Sequence, residues 1–213
     1  MRGLYLVTPD WDDTDRLIAI TTQALKAGVA IVQYRHKTAS ESLRHEQAAA
    51  LLALCRQRKV PFIVNDHLSL CEQLDADGVH VGGTDSPVAA VRARLGNDKL
   101  IGASCYGDLP LAREAASAGA SYVAFGGFYP SRVKKYEVTT PVDIVSRAKR
   151  ELSLPVCVIG GMTPDNARPL IEEGADLVAA ISSVYQSENP SSSAAAFFRL
   201  FDLHERSSTT DRQ

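Results

Sequence analysis

The sequence predicts an α/β fold, a single-domain (β/α)8 TIM barrel, on three observations. Strand-then-helix units repeat eight times across 213 residues, the number that closes such a barrel at about this length. Each strand is a short apolar run, as parallel strands covered on both faces are, and polar residues collect where those runs stop. The turn after the first strand reads Thr8-Pro9-Asp10, without the glycines that a doubly wound, dinucleotide-binding sheet places there. No gap between units is long enough for a second domain. The barrel is therefore expected to span 1–204, with 205–213 a polar, disordered tail.

In chain order, residues 4–8 (LYLVT) form the first strand and Pro9-Asp10-Trp11 break it. Asp12, Asp13, Thr14 and Asp15 offer N-caps for a helix over 16–27 that Gly28 ends. The second strand is 30–35, followed by a long helix over 40–58 with Ser40 or Ser42 as cap and 48–54 as its buried stripe. Residues 61–66 (PFIVND) form the third strand: four apolar residues, then an amide and a carboxylate. Residues 67–74 form a short helix, and 78–82 (GVHVG) the fourth strand. A helix over 87–95 takes Asp85-Ser86 as cap and Pro87 as its first residue. The remaining strands are 100–104, 122–126, 155–159 and 177–181, with helices over 108–118, 142–151, 163–173 and 193–203. The loop at 127–140 is longer than a plain connection requires.

Bulk properties exclude several classes. Apolar content of 45% and charged content of 23% are ordinary for a soluble protein. A net charge of −2 provides no general nucleic-acid surface. No apolar run approaches the roughly 18 residues of a membrane span. Met1-Arg2-Gly3 leads directly into strand sequence without signal-peptide architecture, so a cytoplasmic location is expected. Cys55, Cys71, Cys105 and Cys157 show no CxxC and no metal-ligand spacing, and read as reduced core thiols. The expected partners are small molecules rather than nucleic acid or membrane; a homo-oligomer is left open.

A barrel works at the C-terminal ends of its strands. Gln33, Arg35 and Lys37 alternate, so period two puts an amide and two cations on one face at the mouth, an anion clamp. Tyr34 and His36 face the other way, towards packing, and are left with backbone contacts. Asp66 and Asp85 end neighbouring strands and together suit a hard divalent cation such as Mg2+, which takes one or two carboxylates, waters and substrate phosphate. Asp85 also reads as a helix cap. His67 and His80 pair at no ligand spacing and read as structural. Ser104 ends the fifth strand without a Ser-His-Asp arrangement or nucleophile elbow. Lys134 and Lys135 lie in a loop shaped by Gly126, Gly127 and Pro130, and suit a clamp on an anion. Gly160-Gly161 and Ser182-Ser183, after strands seven and eight, match the common phosphate site of such barrels. Two anionic substrates and no evident nucleophile point to group transfer with pyrophosphate leaving.

The ordered set QYRHK, VND, GVHVGGTDSP, GAS, GGFYPSRVKK, VIGGM and AAISS resembles the thiamine-phosphate synthase family over nearly the whole chain. That family joins a hydroxymethylpyrimidine pyrophosphate to a thiazole phosphate. The resemblance implies that Gln33, Tyr34, Arg35, His36, Lys37, Asn65, Ser104 and Lys134 hold the pyrimidine pyrophosphate. It implies Ser131, Arg132, Val133, Gly161, Ile181 and Ser182 for the thiazole phosphate, Asp66 and Asp85 for Mg2+, and catalytic charge from Lys134, Arg35 and Lys37. The sequence departs from the family pattern at Gly83, usually Gln, at Gly127, usually Pro, and at Ser131 and Val133, usually threonines. Ser131 keeps a hydroxyl, whereas Val133 offers only its backbone N–H. Two other readings are a thiazole tautomerase-like isomerase on the same barrel, which needs a base and no metal, and a non-catalytic phosphate-ligand binder.

Overall fold

The computed structural model describes residues 1–82, 86–130 and 140–210, the side chains of 205–210 excepted. Strands β1 (Gly3–Val7), β2 (Val29–Tyr34), β3 (Phe62–Asn65), β4 (Gly78–Val81), β5 (Leu100–Tyr106), β6 (Tyr122–Phe125), β7 (Val156–Ile159) and β8 (Leu177–Ala180) are all parallel and close in sequence order into a barrel. The helices are α1 (Thr14–Leu25), α2 (Glu41–Arg58), α3 (Leu68–Leu74), α4 (Val88–Leu95), α5 (Leu109–Ser117), α6 (Ile144–Glu151), α7 (Pro164–Glu172), α8 (Ser182–Tyr185) and α9 (Pro190–Thr210). The (β/α)8 barrel expected from the sequence is the architecture observed.

Strand alternation sorts the apolar residues into two cores. Outward-facing Leu4, Leu6, Val32, Tyr34, Phe62, Val64, Val79 and Val123 pack under the helices, joined by Leu17, Leu51 and Phe197. Inward-facing Tyr5, Val7, Ile31, Ile63, Tyr122, Ala124, Cys157, Leu177 and Ala179 fill the barrel. Paired Cα positions carry this pattern around the ring: Tyr5 lies beside Ile31, Gln33 beside Ile63, and Cys157 beside Leu177. Among the described residues no helix is long and apolar enough to cross a membrane.

Helix starts follow their caps. The Asp13 carboxylate accepts from Arg16 N, Ser40 Oγ from Leu43 N, and the Asp108 carboxylate from Leu111 N. Thr163 and Asn166 form a reciprocal capping box. Helix α4 differs: Pro87 is its cap residue and makes no side-chain cap bond. Two further differences have simple causes. Helix α8 is a single turn, too short for any periodicity to show. Helix α9 starts at Pro190, before the apolar stripe that marks its body, and its backbone runs on to Thr210. The tail expected from residue 205 lies outside the described side chains, and 211–213 outside the described residues.

At the N-terminal end of the barrel one device occurs three times. Helices α3, α5 and α7 end in a turn leading to Ala76-Asp77, Ala120-Ser121 and Ala175-Asp176. Each alanine N–H returns to its own helix, and each polar residue then ties down the preceding strand. Phe62 N donates to Asp77 Oδ2 at 2.8 Å, Ile101 N to Ser121 Oγ at 3.0 Å, and Val156 N to Asp176 Oδ2 at 2.7 Å. The backbone N–H groups of Asp77, Ser121 and Asp176 donate to Phe62 O, Ile101 O and Val156 O. The first or second amide of each strand is thereby given a partner.

Candidate active site

The opposite end is organised by β2 and its extension. Gln33 and Arg35 point into the barrel mouth and line one cavity with Tyr5, Asn65, His80 and Ser104. Thr8 Oγ1 donates to Arg35 O at 2.9 Å and accepts from Arg35 N at 2.7 Å, which stitches β1 to the clamp. The Asp10 carboxylate then receives Arg35 Nη1 at 3.0 and 3.1 Å and the Lys37 backbone N–H at 2.8 Å. One acidic side chain thus fixes both arms of the clamp. Tyr34 and His36 turn away from the cavity, as alternation requires. The Tyr34 hydroxyl donates to Gln47 Oε1 on α2 at 3.0 Å, and the His36 ring lies 3.0 Å from Asp12 Oδ1. Neither side chain lines the cavity.

Strand β3 stops at Asn65, and Asp66 turns the chain with φ +60°. A non-glycine residue in the left-handed region is uncommon and often marks a functional site. Asp66 N donates to His80 O at 2.9 Å, and its carboxylate forms an ion pair with the Lys37 ammonium. Asp66 therefore stands at the rim already holding a cation. Asp85 lies outside the described residues, as does residue 83. Among the described residues no three His, Cys, Asp or Glu side chains gather as a metal site.

The cavity floor holds what the sequence reading missed. Gln33 Nε2 donates to the Tyr5 hydroxyl at 2.7 Å, and the Tyr5 and Tyr122 hydroxyls meet at 2.5 Å. His80 Nδ1 lies 3.0 Å from the Tyr122 hydroxyl, and His80 Nε2 lies 2.9 Å from Ser104 Oγ. Burial pushes both phenols well above their ordinary pKa; for Tyr5 the bond to Tyr122 offsets part of the rise. They stay protonated and relay hydrogen bonds. His80, expected to be structural, lines the cavity and joins Tyr122 to Ser104. The available signal was position: Tyr5, His80 and Tyr122 all fall on the inward phase of their strands. The Ser104–His80 pair also bears on nucleophilic catalysis. Its third member is a buried neutral phenol where a triad has a carboxylate to stabilise imidazolium, so the pair suits ligand binding.

Across the cavity, β7 and β8 bring Ile159, Ala179 and Ile181 to the wall. Gly161 has φ +64°, and a Cβ there would lie 2.3 Å from Pro130 O, so only glycine fits against that loop. Asn166 Nδ2 donates to Gly161 O at 2.9 Å, and the Tyr129 hydroxyl donates to Asn166 O at 2.9 Å. Ile181 caps α8 and Ser182 opens it. Gly161, Ile181 and Ser182 thus lie just past the C-terminal ends of β7 and β8. The loop bearing the remaining predicted contacts leaves at Pro130 and returns at Thr140, whose Oγ1 donates to Gly126 O at 2.5 Å. Ser131, Arg132, Val133, Lys134 and Lys135 lie outside the described residues.

Residues 4–184 match the family model described as thiamine monophosphate synthase. The chain is 63% identical over 201 residues to the thiamine-phosphate synthase of Janthinobacterium sp. (strain Marseille), covering 94% of this chain and 97% of that one. It is 46% identical to the thiamine-phosphate synthase of Aromatoleum aromaticum, covering 95% and 97%. Among solved structures it is similar to a thiamine phosphate pyrophosphorylase from Pyrococcus furiosus, with a TM-score of 0.83, 28% identity and coverage of 94% and 95%. A 3-hexulose-6-phosphate synthase, 16% identical with a TM-score of 0.70 over 94% of this chain and 99% of that one, shares the fold. The chain belongs to the thiamine monophosphate synthase family.

Proposed function

We propose that the chain is a thiamine-phosphate synthase, a transferase that condenses 4-amino-2-methyl-5-(diphosphooxymethyl)pyrimidine with 4-methyl-5-(2-phosphoethyl)thiazole and releases pyrophosphate. The observation that carries this reading is that Gln33, Arg35, Asn65 and Ser104 line one cavity at the barrel mouth, with the Lys37–Asp66 ion pair beside it. That arrangement suits a polar ring seated deep in the cavity and an anionic tail at the mouth.

The reaction in this reading is dissociative. The bond from the pyrimidine methylene carbon to the pyrophosphate oxygen breaks, the ring stabilises the resulting cation, and the thiazole nitrogen supplies the electron pair for the new C–N bond. Such a route requires positioning and charge neutralisation rather than a protein nucleophile. Burial fits that economy: the cavity-lining thiol of Cys157 is pushed far above its ordinary pKa and remains an inert S–H. Arg35 and Lys37 receive the pyrophosphate, with Lys134 the third cation; Tyr34 and His36 add backbone contacts. Gln33, Asn65 and Ser104 hold the pyrimidine. Gly161, Ile181 and Ser182, with Ser131, Arg132 and Val133, hold the thiazole phosphate.

A divalent cation fits this donor set. Asp66 is a rim carboxylate already neutralised by an ammonium, and with Asp85 it supplies the one or two carboxylates that Mg2+ takes. Bound there, Mg2+ would neutralise charge on the departing pyrophosphate. A single catalytic domain over 1–204 and a cytoplasmic location belong to the same proposal.

The test is pyrophosphate release on mixing the protein with both substrates, in Mg2+ and then in EDTA. Release that needs Mg2+ and the thiazole phosphate is expected. No release under either condition overturns the synthase reading. Metal-independent isomerisation of the thiazole phosphate would replace it with the tautomerase, and binding without turnover with the binder.

A further inference from the structure

The floor of the cavity is a single hydrogen-bond chain from Gln33 to Ser104, and protons in such a chain cannot be placed independently. A primary amide nitrogen only donates, so Tyr5 Oη accepts from Gln33 Nε2 and its own O–H must go to Tyr122. Tyr122 has then accepted, and its O–H goes to His80 Nδ1. A neutral imidazole that accepts at Nδ1 carries its proton on Nε2 and donates it to Ser104 Oγ. The Ser104 O–H remains available to the cavity, and so does Gln33 Oε1. Five side chains from β1, β2, β4, β5 and β6 therefore present one acceptor and one donor in a fixed sense.

We infer that Tyr5, Tyr122 and His80 are positioning residues that order the protons of Gln33 and Ser104, matching the cavity to a ligand edge with an amino donor beside a ring-nitrogen acceptor. An aminopyrimidine has that edge, and a 4-oxopyrimidine reverses it, with a carbonyl acceptor beside a ring N–H. The inference rests on the function proposed above and deepens it, because it says why the 4-amino form is selected.

Two further observations support the assignment. The His80–Tyr122 contact passes over Gly102, which lies between the two in the strand register. A Cβ on Gly102 would come within 2.2 Å of the Tyr122 hydroxyl oxygen and 2.4 Å of His80 Nδ1, so the chain exists only because the intervening residue has no side chain. The tyrosines are also fully enclosed, 1% and 0% exposed, so water does not substitute for a missing member.

The experiment compares dissociation constants in Mg2+ for the 4-amino pyrimidine pyrophosphate and its 4-oxo analogue, in wild type and Tyr122→Phe. Binding is measured rather than turnover because the 4-substituent also changes ring electronics. Wild type should prefer the amino ligand by about 100-fold, since the reversed edge leaves a buried donor and acceptor unmatched. Tyr122→Phe should cut that preference about tenfold, with affinity for the thiazole phosphate unchanged. Tyr5→Phe should act in the same direction and keeps the test open if Tyr122→Phe does not fold. Weaker binding of both pyrimidines at an unchanged ratio would reveal a purely structural role and overturn the inference. So would a wild type that binds both alike or prefers the oxo form. Pyrophosphate release by the wild type, measured alongside, separates the two readings: release with an unmoved ratio defeats only this one. Absence of both release and pyrimidine binding defeats both.

Discussion

The two ends of the barrel use the same side chains for opposite purposes. At the N-terminal end, Asp77 and Asp176 accept backbone N–H groups of Phe62 and Val156, a bond each strand makes with its neighbour whatever is bound. At the C-terminal end, Asp10 and Asp66 face the cationic side chains of Arg35 and Lys37, partners that an incoming anion can also claim. The lower carboxylates hold the first amides of strands β3 and β7, whereas the upper ones face the two cations that the proposed reaction uses. The two ends should therefore fail separately, the upper one in activity at constant melting temperature and the lower one in stability at constant turnover.

The largest effect falls at the mouth. If Lys134 stabilises charge on the leaving pyrophosphate, Lys134→Ala should lower kcat on the order of 10²- to 10³-fold, as loss of one preorganised donor does. A thermal melt should not move. Near-normal kcat would remove Lys134 from that role. A smaller effect is expected one step away, at Asp10, which acts through Arg35 and Lys37. Asp10→Asn keeps an acceptor for the Lys37 N–H but loses the charge opposite Arg35. KM for the pyrimidine pyrophosphate should rise roughly tenfold, within the range for residues that orient a binding group, while KM for the thiazole phosphate stays put. Equal movement of both would assign Asp10 to general support of the loop.

The lower end should invert this result. Asp176→Ala strands the Val156 N–H and removes the partner of Lys149 Nζ, 2.8 Å away. Leaving one buried donor unmade costs about 1–3 kcal/mol, which a denaturant titration resolves, and kcat should remain that of the wild type. A kcat that falls with stability intact would mean the ends are coupled through β7, and the division proposed here would fail.

Legibility follows the same division. The lower end was readable as punctuation, because Gly28, Gly119 and Gly174 mark helix ends from local backbone preference. Gln33 and Arg35 were readable because period two places them from sequence distance alone, and the same period turned Tyr34 and His36 away. The floor was not readable. A Tyr inside an apolar strand, or a His between two valines, looks like core until the barrel closes. Tyr5 and Tyr122 are 117 residues apart, and their hydroxyls meet only because the four strands between theirs in the chain carry the sheet round to closure. The gap that lets His80 reach Tyr122 is Gly102, and a glycine in a strand does not announce which neighbours will use its space.

The smallest effect separates the ends by pH. Cys71 sits in α3 just before the Asp75-Ala76-Asp77 turn, and its carbonyl accepts from Asp75 N–H and Ala76 N–H. Burial, chiefly, raises its thiol from 9.0 to about 11. The unfolded chain therefore ionises this thiol first. Below pH 9 both states are protonated and the contribution is fully present; above it the unfolded state loses its proton while the folded state keeps it, and stability declines until the folded thiol also ionises near pH 11. One pH unit above the unfolded pKa, the loss is about 1 kcal/mol. Cys55 and Cys105, each raised to about 12, add to the total in the same sense. The informative quantity is thus the difference between wild type and Cys71→Ala in the change of unfolding free energy from pH 8 to pH 10. Wild type should lose about 1 kcal/mol more than the variant across that interval, with the pH dependence of turnover below pH 9 the same in both. Identical slopes would mean that the turn below α3 opens readily enough to hydrate the thiol, and that this end of the barrel is looser than its backbone bonds imply.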